Sequence, residues 1–481
     1  MILLVQNRQE FNNDIRAMIM AFFPGIKIVE KDDGQEFFFE FHAEYETDKS
    51  RFYIVCRQLE GEIGESTVEG DYRCRDSFRN NLKLCIYRLL CRYTKRVLPW
   101  GDLTGVRPTK IAMKQIKDGV AYEDVVSNYM NLYDVSLDKA TLATRVAQKE
   151  LSLVSGIDFD DDYCLYVGIP ICPSRCLYCS FTSYDINVYR DKTARYIEKL
   201  CDELNYIAGA YRDKKLVAVY IGGGTPTSIS HELLDILLSK IESEFDLSHL
   251  KEFTVEAGRP DSITREKLQV MKKHFVSRIS INPQTMNDDT LKTIGRAHNS
   301  RQAKEAFYMA REEGFDNINM DLIAGLPGEN LDSMRYTLEQ VKSLVPESIT
   351  VHSLAIKRAA NLRQQMDSFG AVINQDMEGM HALAAEAAEV LGMEPYYMYR
   401  QKNIGGNLEN VGYAKQGFEC LYNILIMEEM TDIIAAGAGS STKLVFRAEN
   451  RVERVENCKS VDDYIERFEE MLARKGKWNI I

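Results

Sequence analysis

The stretch Tyr166-Val-Gly-Ile-Pro-Ile-Cys172-Pro-Ser-Arg-Cys176-Leu-Tyr178-Cys179-Ser-Phe181 decides how the rest of the chain is read. Alternating apolar residues, a proline and then three thiols describe a strand that runs into a loop wrapped around something. A loop this short cannot pair three cysteines as disulfides, and in a reducing compartment closely spaced thiols favour metal ligation. Thiolates select zinc or iron–sulfur centres. Structural zinc takes four protein ligands, commonly at two-residue spacings. Here the spacings are three and two, and no fourth Cys or His lies close by. Three thiolates leave one corner of a four-iron cluster open. A zinc site and unrelated buried thiols stay as alternatives on this stretch alone.

Composition narrows the class. At 481 residues, 45% hydrophobic and 27% charged, the chain reads as globular and long enough for two or three units. A net charge of -12 and a pI near 5.3 repel nucleic acid, so an anionic substrate needs a local basic patch. Met1 to Gln6 is too short an apolar run for a signal segment, and no run of eighteen apolar residues exists. A cytoplasmic protein with no membrane span is expected. Of the eleven cysteines, Cys56, Cys74, Cys85, Cys91, Cys164, Cys201, Cys420 and Cys458 read as small buried hydrophobes. No internal repeat or low-complexity segment occurs.

Before the thiol loop, the pattern predicts a small α+β unit with strands at Ile2–Val5, Lys27–Glu30, Glu36–Phe41 and Arg51–Cys56. Phe11, Ile15, Met18, Ile19 and Phe22 form one helical face; Phe78, Leu82, Cys85, Ile86, Leu89 and Leu90 form another, on a helix from about Arg75 to Lys95. From Arg73 to Arg96 there are eight Lys or Arg and one acid, Asp76. A solvated face and a dock for carboxylates both explain that run. The turn-rich Pro99–Lys110 reads as a linker except for Trp100 and Arg107, costly choices in a passive one. Helices are predicted at Tyr122–Leu132 and Ser136–Val154.

From Tyr163 strands and helices alternate. Strands are predicted at Leu165–Ile169, Leu216–Ile221, Glu252–Glu256, Arg278–Ile281, Ile318–Ile323 and Ser348–His352, which implies an α/β fold with a parallel sheet closed into a partial (β/α)6 barrel. The active site of such a barrel lies at the strand C-terminal ends. The chemically suggestive residues do follow the strands: the three cysteines, then Gly222–Thr227, then Glu256–Arg259, then Gln284, Asp321 and His352 with Ala355. Beyond 360 come an Ala-rich helix at Met377–Leu391, a Tyr, Asn and Gly-rich stretch, and Ala435–Thr442, whose glycines permit close approach of backbone to a ligand. A last helix is expected from Ser460, capped by a box with Asp463. The domains expected are 1–160, an N-terminal α+β unit; 161–360, the barrel core; and 361–481, a C-terminal α+β extension.

From about 160 to 445 these motifs resemble the oxygen-independent coproporphyrinogen III oxidase family of radical S-adenosylmethionine (SAM) proteins. Pro99–Pro108 is similar to an N-terminal stretch of its HemZ branch. The resemblance implies a [4Fe-4S] cluster on Cys172, Cys176 and Cys179, whose open iron takes SAM. It implies SAM contacts from Tyr166, Tyr178, Gly223, Gly224, Thr225, Glu256, Gln284, Arg296, Asp321, Ala355 and Ser441. Arg296 would hold the SAM carboxylate, for which a planar fork is suited.

Two departures bear on the reaction. Phe181 stands where the decarboxylating members carry a fourth cysteine, and Gly168 where they commonly have His. The haem chaperones share the Phe181 form, but the stretch 406–414 lacks their histidine. The family implies oxidative decarboxylation of porphyrinogen propionates, with a low-potential electron donor such as flavodoxin or ferredoxin. Arg259, Arg278, Lys357, Arg400, Lys402 and the basic helix are the candidate partners for propionates. A haem-binding chaperone, or radical chemistry that opens or methylates haem, are the alternatives.

Overall fold

Short apolar strands joined by amphipathic helices settle as a parallel sheet because each crossover lays its helix against a sheet face. The computed structural model describes residues 1–32, 34, 36–56, 64–105, 107–354, 376–400 and 407–476. Ala355, Lys357 and Lys402 lie outside the described residues. Two units are distinguished, Met1–Gln148 with Met398–Glu409, and Lys149–Tyr397 with Asn410–Ile481. No described helix is long and apolar enough to cross a membrane.

In the first unit the sheet order is Ile28–Val29, Ile2–Gln6, Phe39–Glu44, Lys49–Val55, Gly64–Glu69. The strand Gly64–Glu69 is one that sequence pattern misses, because its residues GESTVE carry one fully buried position. Helices Asn12–Phe22 and Arg75–Thr94 bury the two predicted apolar faces against this sheet. Each such side chain contributes about 1.5–3 kcal/mol of burial.

The polar side of helix Arg75–Thr94 is not the free cationic dock considered above. Arg79 donates to Asp14 at 2.8 Å and Arg88 to Asp134 at 2.7 and 2.8 Å, while Arg92 and Arg96 donate to the carbonyls of Glu65 and Phe22. Lys83 is largely buried, 4.0 Å from the buried Asp102. Nor is Pro99–Lys110 a linker. Trp100 is fully buried, its indole N–H donates to Glu409 at 2.6 Å, and Arg400 lies over its ring while donating to the Leu103 carbonyl at 2.7 Å.

In the second unit six strands run parallel in chain order: Asp162–Ile169, Lys215–Gly223, Glu252–Val255, Arg278–Ser280, Ile318–Ala324 and Ser348–Ser353. These are the six predicted strands with ends moved by a few residues. The chain after 360 does not stand apart from them. Glu409–Ala414 pairs antiparallel with the sixth strand, and Asp432–Ala436 pairs parallel with the first, so the C-terminal segment extends both edges of the partial barrel. Ser441–Phe446 and Arg451–Glu456 continue the second edge. Short helices Val461–Glu466 and Phe468–Gly476 follow; Ser460 caps the first by accepting from the Asp463 N–H. Of the cysteines read as buried, Cys85, Cys164 and Cys420 are, whereas Cys74 is exposed and Cys56, Cys91, Cys201 and Cys458 are half-buried.

One glycine of Ala435–Thr442 is required by this edge. Gly437, at φ +96°, lies against the Gly168 carbonyl so closely that a Cβ would collide with it. Behind the turn is a buried ion pair, Lys475 to Glu203 at 2.9 Å. Glu203 also accepts from the Gly437 N–H at 2.7 Å, the Tyr464 hydroxyl at 2.6 Å and Asn457 at 2.8 Å. Burial pushes this carboxyl up, yet Lys475 and these donors outweigh it and hold it below the ordinary carboxylate range. Lys475→Met therefore leaves a buried charge unpaired, and a loss of about 3–5 kcal/mol is expected in urea unfolding. In that variant the carboxyl rises above its unfolded value, so the penalty should grow as pH rises from 5 to 8. A loss that does not change over that range contradicts this account.

Candidate functional site

Cys172 ends the two-residue strand Ile171–Cys172, which pairs in parallel with Tyr184–Asp185 and so closes the base of the thiol loop. All three thiols are free; Cys172 and Cys176 are buried and Cys179 is half-buried. Several clamps hold the loop. The Leu177 N–H donates to the Ile294 carbonyl at 3.0 Å, and Arg296 donates to the Tyr178 hydroxyl through Nε at 3.2 Å and Nη2 at 2.8 Å. Arg259 donates through Nη1 to the carbonyl and Oγ of Ser174, both at 2.9 Å, and to Cys176 Sγ at 3.7 Å. Gly224 must be glycine: a Cβ there would stand 2.7 Å from the Ile171 carbonyl oxygen and 3.0 Å from Cys172 Sγ. Thr225 follows, with its N–H on the Ile171 carbonyl at 2.8 Å and its hydroxyl 3.5 Å from Cys172 Sγ.

The donor set fits a cluster. Burial pushes the Cys172 thiol up to about 11, and the neighbouring Cys179 and Cys176 add to the rise against the Thr225 hydrogen bond; burial likewise raises Cys179. Thiolates in such a place are costly until a cationic centre discharges them and releases the protons. Among the described residues no three His, Cys, Asp or Glu side chains form a group suited to a single metal ion. A four-iron cluster spreads its irons and does not ask three thiolates to meet at one point.

Gly223 and Glu256 stand at or just after strand ends, and three of the residues expected to contact SAM carry buried polar atoms with no protein partner: Gln284 Oε1, Arg296 Nη1 and Ser441 Oγ. Gln284 also adopts φ +69°, uncommon outside glycine and frequent at ligand sites, while its backbone bridges Asp321 and Ile323. Gly223, at φ +111°, ends the second strand against Ile169. Asp321 accepts from Asn319 at 2.7 Å and lies 3.7 Å from His352 Nε2. Burial raises its carboxyl, but His352, Asn319 and Thr350 together hold it below the ordinary range. Glu256 accepts from the Tyr220 hydroxyl at 2.6 Å. Burial pushes Glu256 up to about 7; the Tyr220 hydroxyl, the Gly223 N–H and Arg278 act against the rise, and Asp321 adds to it. Ala355 lies outside the described residues.

Sequence pattern alone misses the support beneath these groups. Tyr166, Tyr220 and Tyr422 stack inside the barrel, Tyr220 on Tyr422 with ring centroids 4.4 Å apart. Glu252 forms the floor, accepting from Cys420 Sγ at 3.2 Å and from the Leu421 N–H at 2.5 Å. Arg259 and Arg400, candidates for binding propionates, are committed inside the protein, and Arg278 is buried with Nη2 on Ser348 at 3.2 Å. The one available signal for Arg259 was Asp261 two residues on, an acid placed to hold its guanidinium. A Cβ at Gly168 would meet the Ala436 and Ala438 carbonyl oxygens at 3.3 and 3.6 Å, so only the first would have to give, by a few tenths of an ångström.

Two outcomes follow from this geometry. Replacing Cys172, Cys176 or Cys179 by Ala should abolish iron and sulfide incorporation, and Cys164→Ala should not; loss with Cys164→Ala contradicts the ligand set. With Glu256 pushed up to about 7 by burial, a SAM ammonium placed beside it would favour its ionised form and drive off its proton. Calorimetry of SAM binding to the cluster-loaded protein at pH 6.5, in buffers of different ionisation enthalpy, should show a fraction of a proton released beyond that released by Glu256→Gln. The difference should vanish by pH 8.5. Equal release from both proteins at pH 6.5 contradicts it.

Comparison with known proteins agrees with the geometry. Residues 166–341 match the model of the Radical SAM superfamily. The chain is 38% identical over 404 residues to the oxygen-independent coproporphyrinogen-III oxidase-like protein HemZ of Bacillus subtilis (strain 168), covering 83% of this chain and 81% of that protein. It is 34% identical over 263 residues to the heme chaperone HemW of the same organism, covering 54% of this chain and 65% of that one. Among solved structures, coproporphyrinogen III oxidase (HemN) from Escherichia coli aligns with a TM-score of 0.49 at 19% identity, covering 65% of this chain and 70% of that one. The three-thiol loop, the glycine turn that fits against it and an identity running through most of both chains lead to one conclusion: the chain belongs to the radical SAM superfamily, among the HemZ-type coproporphyrinogen III oxidase-like proteins, whose cofactors are a [4Fe-4S] cluster and SAM.

Proposed function

We propose that this protein is an oxygen-independent coproporphyrinogen III oxidase-like enzyme that oxidatively decarboxylates porphyrinogen propionates to vinyl groups in the cytoplasm. The cluster and SAM, when bound, supply a 5′-deoxyadenosyl radical and methionine at the cost of one electron from a low-potential donor such as flavodoxin or ferredoxin. Hydrogen abstraction from a propionate then gives a substrate radical; loss of carbon dioxide and of one electron to an acceptor leaves the vinyl.

The observation that carries the cofactor half of this reading is the set of buried, partnerless atoms on Gln284, Arg296 and Ser441. An unpaired buried polar group costs about 1–3 kcal/mol, which a polar ligand within reach would relieve. Cys172, Cys176 and Cys179 hold the cluster, Arg296 turns its free Nη1 to the SAM carboxylate, and Glu256 and Asp321 accept from ammonium or ribose hydroxyls. The tyrosine stack beneath closes the barrel and excludes water from the radical. The substrate half rests on the identity to HemZ across most of both chains. Since Arg259 and Arg400 are spent internally, propionate recognition falls to other cations.

A second reading, stoichiometric haem binding without turnover, is favoured by the likeness to HemW and by Phe181, 66% exposed beside the thiol loop. One experiment separates them. The reconstituted protein with dithionite, SAM and coproporphyrinogen III should yield, by mass spectrometry, 5′-deoxyadenosine together with products lighter by one and two units of carbon dioxide and two hydrogens. Tight haem binding with no such product favours the second reading and contradicts the first. Arg296→Lys should weaken SAM binding by about tenfold or more with iron content unchanged, because a single ammonium cannot both hold the Tyr178 hydroxyl and reach the carboxylate. Unchanged affinity removes Arg296 from the site.

A further inference from the structure

Arg259 ends the short segment that follows the third strand and is 3% exposed. Its guanidinium is used on two sides. Nε and Nη2 grip Asp261 as a fork, at 3.0 and 2.8 Å, while Nη1 turns to the thiol loop and meets the Ser174 carbonyl, Ser174 Oγ and Cys176 Sγ. Behind Asp261 lies the fully buried ring of His298, 3.6 Å from Oδ1. Arg259 thus sets a buried cationic donor against one of the three loop thiols. The arrangement runs from sulfur to guanidinium to carboxylate to imidazole, shielded from solvent.

Potentials of iron–sulfur clusters depend on local charge and on hydrogen bonds to their sulfurs. A donor aimed at a ligand sulfur stabilises the form with the extra electron. Burial strengthens the effect, because screening by water is absent, and a second-shell partner fixes the donor in place. We propose that Arg259 is a positioning residue that acts through Cys176 to raise the reduction potential of the cluster, and that Asp261 moderates this by opposing the guanidinium charge. The step concerned is a single electron passing from a low-potential donor to the cluster, with no proton lost from Arg259. The inference rests on the cluster assigned above, and the two fail differently. Iron and sulfide content tests the cluster; the potential of a loaded cluster tests Arg259.

The test is potentiometric titration with dithionite, followed by electron paramagnetic resonance, on the full chain carrying four iron and four sulfide, without SAM. Arg259→Gln removes the charge and leaves Asp261 uncompensated. The ratio of reduced to oxidised cluster at fixed poise should fall about tenfold, a shift of about 59 mV to more negative potential. Asp261→Asn leaves the guanidinium uncompensated and should shift the potential the opposite way. If Arg259→Gln does not load a cluster, Arg259→Lys carries the test, with a smaller negative shift expected because one donor replaces the fork. A clamp that merely holds the loop would not move the two potentials in opposite directions. Wild-type potentials in the loaded variants, or shifts of the same sign, overturn the proposal.

Discussion

Three thiols on a loop with almost no regular structure must be held apart in a buried place before any cluster arrives, and the rest of the site depends on how that is done. The loop supplies few of its own restraints. Leu177 is tied to Ile294, Tyr178 to Arg296, and Ser174 with Cys176 to Arg259, so that segments after the third and fourth strands hold a loop after the first. Gly224, after the second strand, fits beneath because nothing larger can. The cost of fixing each loop residue, about 1–2 kcal/mol in backbone entropy, is thereby spread over contacts from the whole open end of the barrel.

Parallel register makes those contacts possible. Neighbouring strands that run the same way end on the same side, so Gly223, Glu256, Asp321 and His352 come together although they are far apart in sequence. The same register turns Tyr166, Tyr220, Thr254 and Arg278 into one row across four strands. Such a row needs satisfaction inside the barrel, and Tyr422, from helix Leu421–Glu428, stacks on its tyrosines. The C-terminal segment is therefore part of the barrel unit: it extends both edges and sets the Gly437 turn on the Gly168 carbonyl.

Local pattern made much of this legible. Six apolar strands with helices between them, and thiols spaced by three and two, carry their meaning within a few residues. What was not legible depends on partners distant in the chain. Arg79 and Arg88 look like a free basic face until Asp14 and Asp134 are placed beside them. Arg259 looks like a substrate-binding cation until Ser174 and Cys176 arrive from an earlier loop. Trp100 sits in a turn-rich run that reads as a linker, and its partner Glu409 is some three hundred residues later. Strands such as Asp432–Ala436 are hidden for the same reason, since nothing local says which strand they will join.

The central claim is that three protein thiolates leave one iron of a four-iron cluster free to take SAM. Mössbauer spectroscopy of the full chain reconstituted with 57Fe measures this most directly. The account predicts that adding SAM separates one iron in four, with a larger isomer shift as its coordination expands, while the other three stay unchanged. Four irons that do not respond to SAM, or a mononuclear signal, would contradict it.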